Sequence, residues 1–479
     1  MKPSSSVQDT YQYFQEAFSY STDLTMKTMS FPQYEYSLFF LDTMVDSQVF
    51  QEHIVKPLSL RPDANAQEVI TVQDLKETDD IHEAVKALAH GKTVLHKEGE
   101  SVLLLLGTEL HKERQINFPT NERVLRGSRE AFVETLETNI NLLRKRIASA
   151  DLVVKYYTIG RVSQTKVAVI YIKGIANPEV TSLIEQRLQR IDIDNIYAPG
   201  LIQEYIQDRR FSLFPQMLTS ERLDRTRAYL MEGKAAIIAE GSPDVSIMPV
   251  SFWAFFQSPD DYQINWMVGS VFRLLRIACF FIAIGLPGLY TSLIVFQSYV
   301  LPLKMALTLQ GALKYITFNP AFELILLLLA LEILREAAVR LPSPIGQVTG
   351  VVGGIIIGTA VVQSNLFSNT AVVVAAFTGM ASFLIPSYEM SSSVRLINIP
   401  VTLLSALFGL IGLVFSFLML NIYLCRMNSM GLPYFYPAFA DSGVKDTVIR
   451  APIWSLRRRP KEAAPVNRHR LGNPEGWKE

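Results

Sequence analysis

The charge distribution along this 479-residue chain breaks near Arg276, and that break limits the folds open to it. From Ile277 to Cys425 only nine residues are charged: Lys304, Lys314, Glu323, Glu332, Arg335, Glu336, Arg340, Glu389 and Arg395. Upstream the chain is as charge-dense as a soluble protein. Uncharged apolar runs of about 18 residues or more are candidates for membrane helices. The sequence thus predicts a large soluble module fused to a multi-pass helical transmembrane domain, with work that couples one compartment to the bilayer.

The start, MKPSSSVQDTYQYFQEAF, lacks a basic segment followed by an apolar core, so no cleavable signal peptide is expected and the soluble half is expected in the cytoplasm. Cys279 and Cys425 both lie in apolar segments, without the spacing of a disulfide framework or a zinc site. Gly91-Lys92-Thr93 resembles the end of a phosphate-binding loop, but the glycine needed five residues earlier is Lys86, so a hairpin turn is expected there. HExxH, GxSxG and paired-cysteine motifs are missing, and the six histidines have no metal-ligand spacing. No enzyme, cofactor or nucleic-acid partner is expected.

The soluble half reads as duplicated. Residues 36–58 and 167–191 each run from an apolar, aromatic stretch through a turn into apolar residues at helical spacing, the pattern of a buried strand and an amphipathic helix. GKTVLHKEG (91–99) and GKAAIIAEG (233–241) then repeat a strand ending in a hairpin. Two similar cytoplasmic α/β subdomains are expected at 30–118 and 150–272, after an N-terminal segment 1–29 and joined by a linking helix within 119–149. In that helix Phe132, Leu136, Ile140 and Leu143 form one apolar stripe, and Arg144, Lys145 and Arg146 suit a helix C-terminus.

The transmembrane domain is expected at 273–427, with spans at 277–298, 346–364, 370–388 and 398–425. Residues 341–388 are uncharged for 48 residues, enough for two crossings, with Gln363 to Asn369 as the turn. A basic tail, 428–479, belongs on the cytoplasmic side, so the number of crossings is even. Residues 299–340 are left open: re-entrant, interfacial, or two further spans. Gly346, Gly350, Gly354 and Gly358 recur every fourth residue, a face for close helix contact or oligomerisation. Val348, Val352, Ile356, Thr359 and Gln363 lie off that stripe and face either a narrow pore or lipid. Glu332, Arg335, Glu336 and Arg340 share one helix face as a membrane charge cluster, with Glu323 on another.

Several motifs together resemble the A subunit of the GerA-type spore germinant receptors. VLRGSREAF (124–132) is similar to the family's RGPREGF, with Ser128 for proline and Ala131 for glycine. FPQMLTSERLD (214–224) resembles FPQ…TERPD, with Ser220 for threonine and Leu223 for proline. SPDDY (258–262), RLLR (273–276), LPGLY (286–290), EILREAAVRLP (332–342) and GLPYFYP (431–437) follow in order. The resemblance implies residence in the spore inner membrane, a permease-like B subunit that senses nutrient, a C-subunit lipoprotein, and self-association into a ring that releases ions. It marks Arg126, Gly127, Arg129, Glu130, Glu221, Arg222 and Asp224 as interlobe positions, where Leu223 in place of proline is expected to loosen a turn. A transporter that carries a small solute itself is the alternative.

Overall fold

The computed structural model describes residues 1–31, 35–61, 65–110, 126–196, 198–314, 318–340, 366–436 and 446–470, with isolated residues between them. Two antiparallel sheets come first. The sheet of the first lobe contains β1 (Leu24–Ser30), β2 (Glu35–Leu41), β3 (Leu75–Thr78), β4 (Thr93–Lys97) and β5 (Leu103–Leu106), in the order β1-β2-β4-β5-β3. The second lobe has β6 (Leu152–Ile159), β7 (Thr165–Ile172), β8 (Leu218–Ser220), β9 (Ala235–Ala239) and β10 (Val245–Met248), in the order β6-β7-β9-β10-β8. The two orders are the same permutation, and every paired strand is antiparallel.

The repeat starts earlier than the sequence suggests. Each copy opens with a helix: α1 (Val7–Ala17) in the first lobe, and α3 (Leu136–Arg146) in the second. The first lobe also carries α2 (Ile81–Ala89). Thus 1–29 is no separate segment, because β1 pairs with β2 from Leu24↔Leu41 to Ser30↔Glu35. The expected linking helix is instead the first element of the second copy, and Phe132 precedes it as an extended residue. The remaining second-lobe helices are α4 (Pro178–Gln189), α5 (Pro199–Ile206) and α6 (Leu223–Met231).

Both sheets are covered on two faces, so strands such as β5 and β9 read as continuous apolar runs rather than alternating ones. In β7, Val167 and Val169 pack under α4 and α5, while Ala168 and Ile170 face α3 and α6, the two-residue period of a strand. The α3 face of the second lobe has no boundary with the helical module. One continuous core joins Leu152, Ile170 and Ile247 to Phe280, Ile284, Ile397 and Tyr434.

The helical module contains α7 (Trp266–Val295), α8 (Leu303–Leu313), α9 (Pro320–Arg340), α10 (Asn369–Phe383) and α11 (Tyr388–Cys425). Among the described residues, α7 and α11 are long and apolar enough to cross a membrane. The expected single span 398–425 needs correction. Gly409 sits at φ 64°, ψ −146°, a conformation that only glycine adopts readily, and α11 folds back there into two arms. The tightness of the reversal shows at Gly412, where a Cβ would lie 2.1 Å from the Leu404 carbonyl oxygen.

Contacts fix the direction of each helix. The Asn398 amide donates to the Ala283 carbonyl, Gly288 lies against Ser405 and Leu413, and Gln297 reaches Gly409 at the end away from the lobes. The first arm therefore runs with α7, and the second returns to the lobes. At the distal end the Ser368 backbone N–H donates to Glu323, and Tyr290 meets Ser368 at 3.2 Å. At the lobe end Glu332 pairs with Arg395 at 3.2 Å, and Ser391 donates to the Ser382 carbonyl at 2.7 Å. Both α9 and α10 thus run toward the lobes, so 299–340 is not confined to the distal side.

Candidate functional site at the joint between lobe and helices

β10 leads into a 3-10 turn, Phe252–Phe256, whose rings fill the joint. Phe252 meets Phe280 at 5.3 Å and Phe435 at 5.3 Å, and Phe256 meets Phe280 at 5.5 Å, all edge-on or tilted. A second 3-10 turn, Pro259–Tyr262, follows, closed by a capping box between Ser258 and Asp261. Gly269 completes the approach, because a Cβ there would lie 2.9 Å from the Asp261 carbonyl oxygen.

This turn buries a charge network. Asp261 is fully buried and takes Arg276 at 2.8 Å and Arg273 at 3.3 Å. Arg273, also fully buried, reaches Asp446 at 3.2 Å, and the Tyr262 hydroxyl donates to Asp446 at 2.9 Å. The SPDDY and RLLR stretches, apart in sequence, thus form one ion-pair cluster with the chain after the last helix. Buried charges survive only when paired, and removing one partner strands the others.

The described residues of the basic tail, 428–436 and 446–470, pack against the second lobe. A two-residue ladder of β11 (Asn428–Ser429) and β12 (Leu432–Pro433) starts it, Tyr434 is buried, and the Val466 N–H donates to the Ile175 carbonyl at 3.0 Å. Fully buried Lys234 pairs with Glu462 at 2.9 Å and lies 4.1 Å from the Tyr229 ring centre. Ser251 donates to the other Glu462 oxygen. Burial pushes Glu462 up, but Lys234 and Ser251 outweigh it and hold the carboxyl below its usual range. Glu232 lies beside them in a cavity of about 40 Å³ lined also by Asp446, Arg458 and Arg470. Burial pushes Glu232 up to about 7 against the pull of Lys234. Within the basic tail, Arg459 donates to the Met231 carbonyl at 2.7 Å.

On the opposite side of the joint lies an open groove of about 310 Å³. Its walls are α5, through Gln203 and Gln207, the segment Ser212–Met217, and the first turns of α11, through Glu389 and Ser393. Thr219 donates to Glu389 at 2.7 Å, tying β8 to α11.

The residues expected between the lobes lie within the second lobe. Ala131 and Arg222 form an antiparallel bridge, and the Phe132 N–H donates to the Glu221 carbonyl at 2.8 Å. Buried Arg222 pairs with Asp224 at 2.6 Å and donates to the Ser128 carbonyl at 2.9 Å. Glu130 pairs with Arg146, Gly127 at φ 113° lies against Gln263, and Arg126 and Arg129 are exposed. Leu223 stands at the turn between β8 and α6. It starts α6, is buried, and its N–H reaches the Glu130 carbonyl at 3.5 Å, a bond proline lacks.

The lobes meet elsewhere. Asp23 and Arg144 form a bidentate pair at 2.6 and 2.7 Å with both side chains essentially unexposed, and Asn141 donates to the Thr43 carbonyl at 2.7 Å. Sequence reading assigned Arg144 to a helix-end charge. Asp23 carried no signal, since its partner lies 121 positions away.

In the charge cluster, Glu332 pairs with Arg335 and with Arg395 of α11, and Glu336 pairs with Arg340 at 2.6 Å. Glu323 points away from them, fully buried, onto the N-terminus of α10. Gly346, Gly350 and Gly358 fall outside the described residues, as do Val348, Val352, Ile356 and Thr359 and most of span 346–364. Gly354 and Gln363 are described as helical and exposed. No group of three or more histidine, cysteine, aspartate or glutamate residues able to hold a metal forms among the described residues.

The model of the Bacillus/Clostridium GerA spore germination protein family matches residues 12–462. Spore germination protein B1 of Bacillus subtilis (strain 168) is 33% identical over 478 residues, covering 97% of this chain and 99% of the relative. Spore germination protein A1 of the same organism is 35% identical over 404 residues, covering 84% and 83%. The crystal structure of the N-terminal domain of the A subunit of the Bacillus megaterium spore germinant receptor GerK3 is 25% identical, covers 53% of this chain and 98% of that one, and has a TM-score of 0.42. By a family match that runs from the first helix to the tail latch, the chain belongs to the GerA spore germination protein family.

Proposed function

We propose that the chain is the A subunit of a nutrient-sensing germinant receptor in the spore inner membrane, and that its helices contribute an ion-release channel. The carrying observation is the alternation of the described helices between the lobe end and the distal end. Outward passage of α7 and the first arm, with return of α9, α10 and the second arm, leaves one outward pass for 346–364. That gives six crossings with lobes and tail on the cytoplasmic side. The glycine stripe Gly346, Gly350, Gly354 and Gly358 then provides the ring contact, and Val348, Val352, Ile356, Thr359 and Gln363 the pore face. A permease-like B subunit binds the nutrient, and a C-subunit lipoprotein completes the complex.

Coupling needs only that the partner's liganded state bind one helix arrangement better than the other. The shared core between second lobe and helices supports this, because a shift of α7 or α11 moves the lobe with it. Cysteine placed at Tyr299, which is exposed at the distal end, is expected to react with an impermeant thiol reagent from outside the membrane, and one at Val162 only from inside. Reaction of both from one side overturns the topology. Ion flux from liposomes is expected with the full complex and to rise with Val352→Ala. Flux of a nutrient through this chain alone would favour a transporter.

A further inference from the structure

The loop Arg209–Leu213, between α5 and β8, carries a feature that the coupling role leaves unused. Phe211 is 100% exposed and Leu213 is 54% exposed, beside exposed Arg210. The loop is held rigidly. Buried Gln216 accepts from the N–H groups of Asp208 and Arg209 at 3.0 and 3.1 Å and donates to the Arg209 carbonyl at 2.7 Å. The backbone that leads into Phe211 is thus held by a buried glutamine.

Its position is set by α11. Ser393 of the first arm donates to the Leu213 carbonyl, Tyr423 of the second arm donates to Ser212 at 3.1 Å, and Arg209 donates to the Arg426 carbonyl at 2.8 Å. Arg209 also lies 5.6 Å from the Tyr423 ring centre. The loop therefore bridges the lobe-side ends of both arms. On the membrane reading above, on which this inference rests, those ends lie at the headgroup level of the inner leaflet. Aromatic and apolar tips with adjacent arginines are what that layer accommodates, the rings at the acyl boundary and the cations on anionic headgroups.

We propose that Phe211 and Leu213 insert into the cytoplasmic leaflet, with Arg210 and Arg426 on anionic lipid headgroups, so that the second lobe is fastened to the bilayer beside α11. The occupant is the lipid surface rather than a partner chain, because the loop continues the surface of two arms whose outward residues, including Leu396, Leu418 and Ile422, are themselves exposed apolar side chains.

The test uses the full chain in vesicles of phosphatidylcholine and phosphatidylglycerol, with Cys279→Ser and Cys425→Ser as background. A spin label at Phe211→Cys is read for collision with oxygen and with a water-soluble nickel chelate. A label at Val162→Cys, 79% exposed on a hairpin tip of the same lobe, is the aqueous reference. The label at 211 is expected to favour oxygen and exclude nickel, and Arg210→Glu to shift it toward water. Equal nickel access at 211 and 162 overturns the inference while leaving the spans intact. Shielding at 211 from both reagents that appears only with companion subunits assigns the loop to a protein partner and also overturns it. Failure of the chain to float with the vesicles sinks the membrane reading itself.

Discussion

The Glu240 carboxylate accepts the backbone N–H of Leu136 at 2.8 Å, and in the first lobe Glu98 accepts that of Val7 at 2.9 Å. Beside them Gly241 donates to the Glu134 carbonyl and Gly99 to that of Ser5. The duplicated Glu-Gly turn is therefore a clip that holds the leading helix of each copy, with the carboxylate at the positive end of the helix dipole. Glu240→Ala is expected to destabilise the second lobe by about 1 kcal/mol, the usual cost of losing a helix cap, with Glu240→Gln intermediate. Urea unfolding of the two variants checks this.

The Asp23–Arg144 pair is the main polar tie between the lobes. Arg144→Ala leaves a buried carboxylate unpaired and is expected to cost about 3–5 kcal/mol, whereas joint replacement by Asp23→Leu and Arg144→Met costs much less. A double-mutant cycle by chemical denaturation measures the difference.

Glu232 makes closure of the tail depend on pH. Its carboxyl sits near 7 when the tail is latched and returns to the ordinary carboxylate range when the tail is released. The latched state thus binds the extra proton, and its advantage is full below about pH 4.5 and declines as pH rises toward 7. Glu462, shifted downward, loses its pairing only below that window. Lys234, Asp446, Glu462, Arg459 and Arg470 face Glu232, and burial pushes the Asp446 carboxyl up in the same direction. Spin-label distances between Val466→Cys and Val162→Cys are expected to broaden between pH 5 and 8, and Glu232→Gln to flatten that response.

Gly409 is strained for any other residue, and a Cβ there would meet Gln297 at 2.8 Å. Gly409→Ala is expected to cost at least about 1–3 kcal/mol and to lower accumulation of the chain in membranes. Equal levels of wild type and variant in membrane fractions would contradict the hairpin.

Much of the soluble fold was legible because its signals are local. The glycines at 91, 99, 233 and 241 all take positive φ, and these turns fixed the register of both hairpins. The helix of α3 was read from its own apolar stripe, but that α1 and α3 open the two copies was missed, because the carboxylates that hold them, Glu98 and Glu240, lie far along the chain. The fold-back in α11 was hidden for another reason: an apolar run reads the same whether it forms one helix or two antiparallel arms, and the difference lies in the φ of Gly409. The joint was half legible. SPDDY and RLLR stood out as motifs, but that they share Asp446 is a fact of three dimensions.

The second lobe and the helices draw on a single core, to which Met427, Tyr434 and Phe435 contribute. These residues follow the last helix. A chain cut after residue 265 lacks the apolar side chains that α7, α11 and the segment after it add to that core. The first lobe is built on two cores of its own, so the same cut removes nothing from its interior.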